Sequence, residues 1–287
     1  MKKILIFSLV LFCVSTIYAQ NALEFFYKND NFKTWFEDDS TLQNAAKKAL
    51  QVVEFKQLLA SQGVNFEKVQ NFFHFIDFDN DGDRDLVFYG KINSQHYTIF
   101  FSKKDTTYSL TLLEKGIVIE ANTPHQNNGL FFTLYNETCC GYYINTLTGY
   151  ACINFRGVSY FNVTSRALLY KGTVFPSRQL ASPVRFKTVK VSDLRIAPKV
   201  DAQQMIAGMH SWAGNSLGMY ALNATGIILG EFRGQDNTFW YFVRMDNPAG
   251  IYIHSNRLTT LEEDIENPQD CFSYGWIKAE TVEYFPR

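Results

Sequence analysis

Between Phe72 and Phe175 the chain repeats one pattern: a short aromatic or β-branched run, then a turn, then another run. The runs are Leu86–Tyr89, His96–Phe101, Tyr108–Leu113, Ile117–Glu120, Leu130–Tyr135, Tyr142–Asn145, Tyr150–Phe155 and Leu168–Phe175. Gly90, Lys103-Lys104-Asp105, Asn127-Asn128-Gly129 and Thr148-Gly149 break them. Such spacing predicts a mainly antiparallel sheet built of hairpins. With 26 Phe and 16 Tyr in 287 residues, the chain has the aromatic load that pleated, half-buried surfaces favour. Upstream, Ala22 to Gln62 reads as helical. Ser40 and Gln43 suit a capping box for a helix from Thr41. Leu42, Ala46, Ala49, Leu50 and Val53 then share one helical face, and Gly63 suits a stop. Pro176 to Pro183 is a linker candidate, and a second β segment runs from about Arg185 to Phe285.

The N-terminus predicts export. Lys2 and Lys3 precede an apolar run from Ile4 to Val14, and Ser15-Thr16-Ile17-Tyr18-Ala19 turns smaller and more polar. That is the signal-peptide pattern, with cleavage after Ala19. Phe12 before Cys13 does not suit a lipoprotein site. The apolar run is too short to span a bilayer, and no later stretch reaches the 18 or more apolar residues a span needs. A periplasmic or extracellular location follows, with no membrane span. A formal net charge of −1 provides no basic field for nucleic acid. Beyond the leader stand Cys139, Cys140, Cys152 and Cys271. Export permits disulfides, and the expectation is that Cys139 or Cys140 pairs with Cys152 across a hairpin. Spacing leaves the overall connectivity open.

The sharpest local signal is Asp77-Phe78-Asp79-Asn80-Asp81-Gly82-Asp83-Arg84-Asp85-Leu86. Alternating carboxylates on a tight loop supply the hard oxygens calcium prefers, and Gly82 permits the sharp turn. Asp77, Asp79, Asp81, Asp83 and Asp85 are the candidate metal residues, Asp83 through its backbone carbonyl. An EF-hand would carry a bidentate Glu at its twelfth position, where this chain has Phe88. The loop instead resembles the calcium loop of FG-GAP and VCBS repeats, Asp-x-Asp-x-Asp-Gly-x-x-Asp-Leu running into a strand. The resemblance covers about Phe75 to Gly90 and implies structural calcium. Only one copy occurs, which argues against a complete propeller.

Further on, three motifs stand in order: Val189-Lys190-Val191-Ser192-Asp193-Leu194-Arg195-Ile196-Ala197-Pro198; then Gly226-Ile227-Ile228-Leu229-Gly230 leading to Phe239-Trp240-Tyr241-Phe242-Val243-Arg244; and Gly275-Trp276-Ile277-Lys278. Together they resemble a bacterial Src-homology-3-like domain over roughly Lys187 to Phe285. The departures are long insertions at Asp201–Asn223 and Asp246–Tyr274. The resemblance implies a small β-barrel whose exported members bind peptidoglycan peptides. Trp212, Trp240, Tyr241 and Trp276 are the aromatic ligand candidates, since such rings give rigid contact area for an extended peptide. Trp240 and Trp276 equally suit a core, and Trp212 lies in a Gly-rich insertion.

No catalytic motif stands out. Cys139-Cys140-Gly141 lies between strand-like runs, away from the helix start that would activate a thiolate. His74, His96, His125, His210 and His254 are scattered without metal spacing. A carboxylate pair assembled only by folding stays open. The expectation is therefore an α+β N-terminal domain, helices plus antiparallel sheet, over residues 21–180, carrying the calcium-type loop. An all-β small barrel of Src-homology-3 type over residues 184–287 follows it. The expected function is a non-catalytic binding or scaffold protein of the bacterial envelope that recognises cell-wall peptide or glycan, or an envelope protein. The alternatives are an envelope hydrolase and a protein–protein interaction module.

Overall fold

The structure is a computed structural model that describes residues 22–27, 31–122, 129–137, 144–177, 179–203, 205–206, 212–234, 236–246, 251–252 and 271–285. The leader Met1–Ala19 and the vicinal pair Cys139-Cys140 lie outside the described residues, as does the side chain of Trp212.

The helical stretch is broken into α1 (Ala22–Phe26), α2 (Leu42–Ala49) and α3 (Val53–Ser61), with a 3-10 turn at Phe32–Trp35. The expected Ser40 cap is not the one used. Thr41 is the N-cap of α2 without a side-chain cap bond, and the Asp39 carboxylate accepts the Thr41 N–H at 2.7 Å. Gly63 does end α3: its φ is +62°, and the Val64 N–H reaches back to the Leu59 carbonyl at 3.0 Å. A left-handed residue at this position is how many helices stop.

β1 (Phe73–Ile76), β2 (Asp85–Ile92), β3 (Gln95–Lys104) and β4 (Thr107–Lys115) form a four-stranded antiparallel sheet in sequential order. Its two faces follow the period of two that a strand imposes. Phe73, Phe75, Leu86, Phe88, Ile99 and Phe101 face α2 and α3, where Ala46, Ala49 and Phe55 are completely buried. Ile76, Val87, Tyr89 and Phe100 face the other way. They pack on β5 (Ile117–Asn122), β6 (Phe131–Asn136) and β7 (Ile144–Phe155) through Val118, Phe132, Leu134, Tyr150 and Cys152. Helices, small sheet and large sheet thus form three layers around two aromatic cores.

The large sheet overturns the expected fold class. After β7 come β8 (Val158–Tyr170), β9 (Gln179–Thr188), β10 (Ser192–Arg195), β11 (Met205–Ile206), β12 (Trp212–Ala213), β13 (Ser216–Tyr220), β14 (Thr225–Arg233), β15 (Phe239–Met245), β16 (Ile251–Tyr252), β17 (Cys271–Lys278) and β18 (Val282–Tyr284). Among the described residues twelve strands join in one sheet, whose main path runs β18-β9-β14-β15-β17-β8-β7-β6-β5. The joint is β17. It pairs antiparallel with β15, and its first residues pair parallel with β8, Cys271 opposite Arg166 and Ser273 opposite Leu168. Among the described residues the molecule is therefore mostly β, 53% strand against 17% helix, with several sheets. It is not an α+β domain followed by a separate small barrel. Run spacing identifies strands but not their partners, and a parallel pairing between segments so far apart has no local signature.

The stretch read as a linker contributes to this sheet. β9 pairs with β14 at Val184 and at Gln179, and the register slips between them, opposite Ile228 and Gly230. Pro183 sits in that slip, where a strand residue without an N–H is tolerated.

Candidate functional site

The acidic loop joins β1 to β2 and is anchored by one apolar residue. Phe78 is fully buried, against Phe100 and Phe161 at 5.3 Å each between ring centroids. Pinning Phe78 inward carries its neighbours Asp77 and Asp79 in with it. Two left-handed residues, Asn80 (φ 59°) and Gly82 (φ 88°), then turn the chain back to Asp85. The result brings carboxylate oxygens of Asp77, Asp79 and Asp85 within 4.8 Å of one another. Asp79 is only 6% exposed and Asp85 only 2%.

The hydrogen bonds leave this cluster half-satisfied. Asp77 Oδ2 accepts the Gly82 N–H at 3.2 Å, and Asp85 Oδ1 accepts the Lys103 N–H at 2.7 Å. Asp77 Oδ1 and Asp85 Oδ2 are buried without a partner. Burial pushes the Asp77 and Asp79 carboxyls above the usual carboxylate range. It lifts Asp85 to about 8, with the neighbouring Asp79, Asp81 and Asp77 charges adding to the effect. Buried orphan acceptors and mutually repelling carboxylates are costly unless a proton or a cation meets them. The donor set, all hard oxygens, fits calcium or magnesium rather than a thiol- or imidazole-loving metal.

Of the five predicted metal residues, the fold gathers three. Asp81 Oδ1 instead accepts the Asp83 N–H at 2.8 Å, and Asp83 Oδ1 takes an ion pair with Lys103 Nζ at 2.8 Å. Both side chains are exposed. The structure adds two residues that sequence reading missed. Asn154 and Ser159, near the tip of the β7–β8 hairpin, both donate to Asp79 Oδ2, Asn154 Nδ2 at 3.3 Å. They lie 75 and 80 positions away from Asp79, in strands with no acidic pattern to flag them. Gly129 completes the junction: a Cβ there would stand 2.5 Å from the Phe78 carbonyl and 2.9 Å from Cys152 Cβ. Only glycine lets the start of β6 pass so close.

The expected disulfide to Cys152 is not formed. Cys152 is a free thiol, 3% exposed, facing the acidic loop from β7. Burial and the Asp79, Asp85 and Asp77 charges push its thiol up to about 12. A thiolate is the reactive species, so iodoacetamide at pH 8 is expected to leave Cys152 unmodified in folded protein. Peptide mapping should find it labelled only after denaturation.

The aromatic candidates separate. Trp240 and Trp276 are 3% and 1% exposed and belong to the core with Phe25, Phe175 and Phe242. Trp276 Nε1 donates to the Val174 carbonyl at 2.5 Å. Both rings are core packing in this structure, closed off from solvent. The backbone of Trp212 lies in β12, paired with β11. Tyr241 is half-buried and lines a cleft of about 390 Å³ with Leu180, Val184, Glu231, Tyr284 and Phe285. Tyr241 and Tyr284 share a hydroxyl–hydroxyl hydrogen bond, their ring centroids 6.1 Å apart. Tyr284 is 50% exposed and Phe285 40%. Tyr284 and Phe285, beside the predicted Tyr241, are the cleft residues that the motif reading left out. Their place follows from β18 pairing with β9.

Comparison with known proteins adds no relative. No family model matches the chain, no curated protein matches it, and no solved structure matches it. Among the described residues, no helix is long and apolar enough to cross a membrane.

Proposed function

We propose that the chain is an exported, non-catalytic binding protein of the bacterial envelope that takes extended cell-wall peptide or glycan along the Tyr241–Tyr284–Phe285 cleft. A structural calcium ion held by Asp77, Asp79 and Asp85 is part of the same reading. The cleft carries the proposal. Two exposed rings, Tyr284 and Phe285, stand with the half-buried Tyr241 beside one carboxylate, Glu231. Flat rings give extended chains and sugar faces large contact area at low entropic cost, and a carboxylate accepts hydrogen bonds from amines and hydroxyls. The leader pattern at Met1–Ala19 supports export. The likeness of the acidic loop to FG-GAP and VCBS calcium loops supports calcium, which would brace the β1–β2 junction against the β7–β8 hairpin through Asp79.

Co-sedimentation with insoluble peptidoglycan tests the proposal, using the mature full-length protein with calcium or with a chelator. Wild-type protein is expected to pellet, and the double variant Tyr241→Ala, Tyr284→Ala to lose at least about tenfold in apparent affinity, as aromatic anchors do when truncated. Equal pelleting of the double variant would move the site elsewhere. No pelleting in either condition would end the wall-binding reading.

A further inference from the structure

A larger cleft opens at the far end of the four-stranded sheet, about 690 Å³ in volume and mostly apolar in its lining. It exists because the large sheet covers only part of that face. His74, Tyr89, Lys91 and His96 project from β1, β2 and β3 to the same side as Ile76, Val87 and Phe100, but beyond the end of β5. Leu23, Tyr27, Lys33 and Phe36 line the opposite wall. The Phe36 and His74 rings stack in parallel, 4.1 Å between centroids and 7° apart. Tyr89 meets His96 edge-on at 4.8 Å. Phe72, packed with the helix-side core, reaches the edge of the cleft over Gly90, where a Cβ would stand 2.3 Å from its ring.

The polar groups are unevenly distributed. His74 is held by Asp38 at 2.7 Å. Glu24 and Lys33 each have partners of their own. Lys91 is exposed and forms no ion pair among the described residues. His96 lies across from Lys91 in the β2–β3 register, its Nδ1 hydrogen-bonded to the Gly116 carbonyl at 3.1 Å. Burial first, then the Lys91 and Lys33 charges, pushes the His96 ring below the usual imidazole range, against the Gly116 hydrogen bond. Lys91 is therefore the cation the cleft offers without an ion-pair partner among the described residues, with an apolar, ring-lined body beside it.

We infer that this cleft is a binding site for a small aromatic carboxylate, its ring against Phe36, Phe72 and Tyr89 and its carboxylate at Lys91. The volume lies within the range of small-molecule sites, which pair an apolar lining with a few placed polar groups. Lys91 beside apolar rings is what favours an aromatic anion, and the inference does not depend on the Tyr241 cleft.

Isothermal titration of the full chain with naphthalene-2-carboxylate and with its neutral amide, 2-naphthamide, is the test. The carboxylate is expected to bind at least about tenfold more tightly than the amide, a difference of about 1.4 kcal/mol. Lys91→Gln, a surface change that leaves the fold intact, should erase that preference while amide binding stays the same. Equal affinities in the wild type, an unchanged preference in Lys91→Gln, or no heat up to millimolar ligand would each overturn the assignment.

Discussion

Adding calcium to chelator-treated protein is expected to raise its melting temperature by about 5–10 °C, and Asp85→Asn to remove that response. The magnitude follows from linkage: a ligand at about a hundred times its Kd adds roughly 2.7 kcal/mol, and a chain of this size gains about 2–4 °C per kcal/mol. Asp85 is the decisive residue. It is 2% exposed, and its Oδ2 has no partner. Its folded-state carboxyl titrates near 8, well above the value of 3.8 for an unperturbed Asp. A raised acid holds a proton in the folded state that the unfolded chain has already released. Its contribution to stability is therefore full below about pH 4 and lost as pH climbs towards 8. Without calcium, this group makes the protein less stable between pH 5 and pH 8. A bound cation favours the ionised form and removes that slope, so the calcium-induced gain in melting temperature should grow with pH. Asp85→Asn cannot ionise, and in chelator at pH 8 it should melt no lower than wild type. Calorimetry at pH 5, 6.5 and 8, with calcium and with chelator, gives the comparison. A melting temperature indifferent to calcium at pH 8 would refute a cation at this cluster.

Trp276→Ala is expected to cost about 3–5 kcal/mol, the range for truncating a large buried aromatic. Trp276 is 1% exposed, packs on Phe242 at 5.4 Å and Phe232 at 6.1 Å, and donates to the Val174 carbonyl. Trp276→Phe keeps much of the ring volume but loses the hydrogen bond and leaves a small void, so it should cost about 1–3 kcal/mol, less than the alanine variant. Both variants should leave Tyr241 and Tyr284 in place and so keep any binding at that cleft. Urea unfolding followed by fluorescence and circular dichroism gives the stabilities. A ring that served a ligand rather than the core would show the reverse: little change in stability and loss of binding.

Individual elements were legible from the sequence, because each has a local physical cause. Short aromatic and β-branched runs set between turn residues mark β2, β3 and β6, since such side chains fit a pleated, buried surface. Gly63 marks the end of α3, because its φ is one that glycine adopts without strain. Asp77, Asp79 and Asp85 were legible among five aspartates whose spacing around Gly82 marks a tight acidic turn. Tertiary structure alone decided the rest. It set Asp85 deep and left Asp81 and Asp83 at the surface, because Phe78 anchors one end of the loop and β2 starts at the other. It brought Asn154 and Ser159 to Asp79, sent Trp240 and Trp276 inward, and left Cys152 a lone thiol. Most of all, it joined β17 to β8 and so made one sheet of segments that read as separate domains. Backbone hydrogen bonds are the same for every residue type, so strand partners are chosen by how whole faces pack, and no stretch of sequence carries that choice by itself.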